Sequence, residues 1–114
     1  QIIGFNPNSS YHLSMKLNYP NRFDWQQAEK ENRTQPGSDI FIHGKAVSIG
    51  CLAMGDRAIE ELFVAVYDVG RANVQVVIAP TDPTKTPLNP SQYPQPWVAE
   101  LYESIETAIT NIRN

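Results

Sequence analysis

From Tyr11 to Asn18 polar and apolar residues alternate. Tyr11, Leu13, Met15 and Leu17 fall on one side, and His12, Ser14, Lys16 and Asn18 on the other. A period of two predicts a half-buried strand, which Tyr19-Pro20-Asn21 ends. The preceding segment, Gly4 to Ser10, is rich in Asn, Pro and Ser and reads as a loop. Phe23 to Asn32 is polar around Phe23, Trp25 and Ala28 and predicts a short helix, with a turn at Gln35-Pro36-Gly37. Asp39 to His43 predicts a short strand, and Gly44 to Gly50 a loop.

A helical period begins at Gly55-Asp56. Ile59, Leu62, Phe63 and Val66 form its apolar stripe, with Asp56, Glu60 and Glu61 early, where the helix dipole favours acids. Gly70 fits its stop. Val74 to Ile78 predicts a buried apolar strand. Thr81 to Pro96 is a proline-rich connector. A last helix over 97–113 follows, with Trp97, Leu101, Ile105, Ala108 and Ile112 as its buried stripe. Strands and helices mix as in an α+β domain. Three or four strands make a thin sheet, so further strands are expected before Gln1 or from elsewhere. The start at Gln1-Ile2-Ile3, without methionine, predicts a mature form or an excised domain, truncated at its N-terminus.

At 114 residues the chain has the size of one domain, 1–114, and 41% hydrophobic with 18% charged residues reads as a packed core. The net charge of -3, with no basic block, argues against nucleic acid as a partner. No apolar run reaches the roughly 18 residues of a membrane span. One cysteine excludes an internal disulfide and a cysteine-rich zinc site, and two histidines show no zinc spacing, so no metal is expected.

That cysteine, Cys51, changes the picture through its neighbours. A lone free cysteine is most often a small buried hydrophobe. Here Gly50-Cys51 follows a loop and precedes a helix, where backbone N–H groups of Gly50 and Cys51 can hold a developing oxyanion. His43 ends a predicted strand eight positions earlier, roughly 27 Å away if extended. The two meet only if the loop folds back, which Gly44 and Gly50 permit; otherwise His43 is a strand-end residue bonded to backbone. Asp39 is a poor orienting partner, roughly 13 Å along the same strand face. A backbone carbonyl is the better expectation for fixing the imidazole tautomer. Ser48 can bond within the loop or serve as a turn residue, and His12 reads as a surface or partly buried histidine.

Ile42-His43-Gly44, a short loop and Ser48-Ile49-Gly50-Cys51 together resemble the L,D-transpeptidase catalytic domain (the YkuD-like family). Leu17-Asn18-Tyr19-Pro20-Asn21 is similar to that family's strand-end Tyr-Pro-Asn. The resemblance covers roughly residues 5 to 80, around a motif core at 39–56. Two positions depart: Ile49 where the family usually has histidine, and Ala53 where it usually has arginine. Ile49-Gly50-Cys51-Leu52-Ala53-Met54 resembles the YafK-like branch instead, which includes enzymes that cleave murein from its attached lipoprotein.

The resemblance implies a β-rich mixed sheet or sandwich with flanking helices. It implies a cysteine acyl-transfer enzyme without a cofactor, working on peptidoglycan stem peptides in the bacterial periplasm or cell envelope. A murein-linked lipoprotein is a further expected partner. Cys51 would be the nucleophile and His43 the general base and acid, with Gly44, Ser48, Ile49, Tyr19 and Lys45 lining the site or binding substrate. Transpeptidation, murein hydrolysis and non-catalytic murein binding all stay open.

Overall fold

β1 (Ile2–Ser9) and β2 (His12–Leu17) form an antiparallel hairpin in a computed structural model of the chain, which describes residues 1–48 and 50–113. The alternation along β2 puts Met15 and Leu17 in the core. Gly4 to Ser10, which reads as loop, is instead most of β1. The correction has a physical cause. β1 is an edge strand whose register slips between Ile2 and Gly4 and between Asn6 and Ser9. An irregular edge accepts Pro7, which has no N–H to donate.

α1 (Arg22–Lys30) starts at a reciprocal cap: Asn21 Oδ1 accepts from the Asp24 N–H (3.2 Å), and Asp24 Oδ2 accepts from the Asn21 N–H (2.8 Å). Ala28 is its fully buried residue. β3 (Phe41–His43) starts two residues later than the predicted strand and pairs antiparallel with β2, Ser14 opposite His43 and Met15 opposite Ile42. β4 (Leu52–Ala53) pairs parallel with β3, Ile42 opposite Leu52 and His43 opposite Ala53. The sheet is therefore mixed, in the order β1-β2-β3-β4, and with its helices the chain is α+β.

α2 (Asp56–Val69) buries Ile59 and Val66 of its predicted stripe. It stops at Gly70, whose φ of +91° turns the chain while its N–H still donates to the Val66 carbonyl. Val74 to Ile78 is not a strand. Val74 is extended, as a β-branched run favours, but none of the described strands pairs with this segment, and Ile78 is exposed. Extended backbone becomes a strand only where a neighbour supplies the hydrogen-bond ladder.

The chain divides into two compact units, Gln1–Gln75 and Val76–Asn114. The first holds the sheet, α1 and α2. The second holds the proline-rich connector, with one short 3₁₀ turn at Pro90–Gln92, and α3 (Trp97–Arg113). α3 buries Val98 and Ile105, whereas Ile112 of the predicted stripe is exposed. Among the described residues no helix is long and apolar enough to cross a membrane.

Candidate active site

The sheet register sets Asn6, Ser14 and His43 side by side across β1, β2 and β3, with Ala53 next on β4. Cross-strand partners share a face, so these residues stand on the side opposite Met15. On this face Ser14 and His43 are buried, whereas Asn6 and Ala53 are exposed. The face forms one wall of a cavity of about 350 Å³. Ser9 and Tyr11 add to the wall from the hairpin end, and Asp39 and Phe41 from the approach to His43. Ser48 and Cys51 close it from the loop. His43 and Cys51 thus face a common space.

The loop reaches this position because β4 returns parallel to β3, and two further backbone bonds continue that pairing. The His43 carbonyl accepts from the Met54 N–H and the Lys45 carbonyl from the Gly55 N–H, each at 2.9 Å. Gly50 has φ +113°, a conformation that only glycine enters without strain. The Ser48 hydroxyl donates to the Cys51 carbonyl at 2.7 Å, and the Cys51 thiol lies 4.0 Å from the Asp39 carbonyl. Asp39 itself pairs with Lys16 (Oδ2 to Nζ, 3.2 Å) at the cavity's edge.

The imidazole of His43 is held by backbone. Its Nδ1 lies 2.5 Å from the Gly44 carbonyl, and a carbonyl only accepts, so Nδ1 carries the proton. In the neutral ring Nε2 is then the basic nitrogen. Gly44 is tied down in turn: its N–H donates to the Leu13 carbonyl at 3.0 Å. A Cβ there would meet the Tyr11 carbonyl oxygen at 2.7 Å, Asp56 Oδ1 at 2.8 Å and Ile59 Cγ2 at 3.0 Å. Gly44→Ala is therefore expected to cost about 1–3 kcal/mol, as overpacked sites do, read as a lower denaturant midpoint at unchanged slope.

Asp56 and Glu60 are exposed on α2, and both also fasten the segments beside the site. Asp56 Oδ1 accepts from the Lys45 N–H at 2.7 Å, holding Lys45 at φ +59°. Glu60 meets His12 Nε2 at 2.6 Å. The two acids lie one helical turn apart, so both reach the sheet from the same face of α2. The pattern i, i+4 was visible; which way that face points was not.

The remaining predicted site residues lie as follows. Lys45 is exposed and contributes backbone bonds; its side chain is not among those lining the cavity. Tyr19 also stands outside the lining. Its hydroxyl donates to the Pro36 carbonyl at 2.5 Å, and burial, then the Asp24 carboxylate, push that hydroxyl above its ordinary range, so it remains a donor. Ile49 lies outside the described residues. Asn6, Ser9, Tyr11 and Phe41 line the cavity without having been singled out by sequence. Among the described residues no group of three or more His, Cys, Asp or Glu is placed to hold a metal ion.

No family model and no solved structure matches the chain. Two curated proteins do, from Escherichia coli strain K12 and from Escherichia coli O157:H7, both named "Putative L,D-transpeptidase YafK". Each is 35% identical over 77 residues, which is 65% of this chain and 29% of the relative. The chain thus spans less than a third of the length of the relatives it matches. On that footing the chain is similar, over that stretch, to proteins of the L,D-transpeptidase family.

Proposed function

We propose that Cys51 and His43 form the reacting pair of a cysteine acyl-transfer enzyme acting on peptidoglycan stem peptides. One observation carries the reading: both side chains line a single cavity, with the imidazole anchored through Nδ1 so that Nε2 is left as the base. His43 Nε2 takes the thiol proton as Cys51 Sγ attacks the carbonyl at a diaminopimelate centre. Backbone N–H groups of Gly50 and Cys51 stabilise the tetrahedral oxyanion. The imidazolium returns its proton to the departing amine, leaving a Cys51 thioester. An amine acceptor then gives a cross-link, and water gives hydrolysis. The Asp39–Lys16 pair at the cavity's edge offers complementary charges for the free ammonium and carboxylate of the diaminopimelate end. The family points to work in the cell envelope, and we place the protein in the periplasm.

The test is mass analysis of products from purified muropeptides, with and without an added amine. The expected result is a protein adduct at Cys51 with amine-dependent cross-linking, or with free carboxylate products if water is the acceptor. Muropeptide binding without any adduct at Cys51 would make the protein a non-catalytic murein binder and overturn the reading.

A further inference from the structure

Tyr11 is half-exposed, at 38%, on the turn between β1 and β2, yet its ring packs on His43 with centroids 4.6 Å apart and planes tilted by 41°. That turn is docked on the end of β3 from several sides. The Leu13 carbonyl accepts from the Gly44 N–H, and the Tyr11 carbonyl presses against Gly44 where a side chain would clash. His12, at φ +74°, reaches Glu60 on α2. An aromatic ring on an ordinary exposed turn has no need of such fastening.

We infer that Tyr11 is a positioning residue for His43: its ring face confines the imidazole that Gly44 holds at Nδ1 and stabilises the imidazolium formed when the Cys51 proton is taken. This rests on the Cys51–His43 reading above. With Nδ1 bonded to a carbonyl, the remaining freedom of the ring is a swing about that bond, and Tyr11 blocks one side of it. The tyrosine face is also the negative end of its quadrupole, which favours a cation at this distance. The ionisable groups near the imidazole are Cys51 and Asp39 across the cavity, Lys16 paired to Asp39, and Asp56 behind Gly44 on α2.

The chain's single cysteine makes iodoacetamide alkylation a readout of Cys51 alone. The rate is measured against pH for wild type, Tyr11→Leu, Tyr11→Phe and His43→Asn. Tyr11→Leu keeps apolar cover and removes the quadrupole. It is expected to slow alkylation near neutral pH about fivefold, the worth of one exposed cation–π contact. It should also move the rising limb of the profile to higher pH, because a less stable imidazolium leaves the thiol protonated longer. Tyr11→Phe, which keeps the ring face, should restore both rate and limb. Should Tyr11→Leu not fold, Tyr11→Met makes the same comparison. An unmoved limb in a folded Leu or Met variant, with His43→Asn still altered, overturns the role of Tyr11 alone. A profile unchanged by His43→Asn overturns the Cys51–His43 pairing itself.

Discussion

Cys51→Ala should abolish the protein adduct with muropeptides, and turnover should fall by a factor of about 10⁴ or more, the scale seen when the nucleophile of a coupled pair is removed. The fold should barely respond. Cys51 is only half-buried, and its thiol makes one weak contact, 4.0 Å from the Asp39 carbonyl. The Ser48 bond to the loop goes to the Cys51 backbone carbonyl, which alanine retains. The change in stability is therefore expected to stay within about 1 kcal/mol. Intact-mass spectrometry and a thermal melt check the two halves separately. An adduct surviving in a folded Cys51→Ala protein would move the nucleophile elsewhere.

The same separation of chemistry from fold explains what the sequence disclosed. β2 and α2 were legible because their core residues repeat at the strand and helix periods, and burial of Met15, Leu17, Ile59 and Val66 follows from that repeat. β1 was not legible. An edge strand with one partner needs neither alternation nor a full set of N–H donors, so Asn6-Pro7-Asn8 looks like a loop. Val74 to Ile78 fails in the opposite direction: its composition favours extension, but composition says nothing about a pairing partner.

The candidate site divides in the same way. Cys51, His43 and the glycines between them are readable as chemistry from residue type. That His43 and Cys51 border one cavity depends on β4 returning parallel to β3, a tertiary pairing of two residues that leaves no periodic trace. Ser14, on the side of the β2 alternation that a period-two pattern assigns to solvent, instead lines the cavity. Ser14 is buried because His43 stands opposite it. Asn6 and Phe41 enter the lining through the same cross-strand register, which fixes faces only once the pairing is known, and Tyr11 enters from the hairpin turn.

His43 allows the sharpest division between a catalytic and a structural role. His43→Ala removes the proposed base, the Nδ1–H donor and the ring under Tyr11 together, leaving the buried Gly44 carbonyl without that partner. It should lower activity and also stability, by about 1–3 kcal/mol for the unsatisfied group. His43→Asn is different. Asparagine carries its amide nitrogen at the δ position, where it can still donate to Gly44, but it has no basic nitrogen at the position of Nε2. Its stability should lie within about 1 kcal/mol of wild type, since the backbone bond is kept. The rate of thioester formation should still fall by a factor of about 10²–10⁴, the usual contribution of a positioned general base. The comparison is made by single-turnover adduct formation alongside denaturant unfolding. If Asn restored both stability and rate, His43 would be a strand-end anchor for Gly44, and the proton would leave Cys51 by another route.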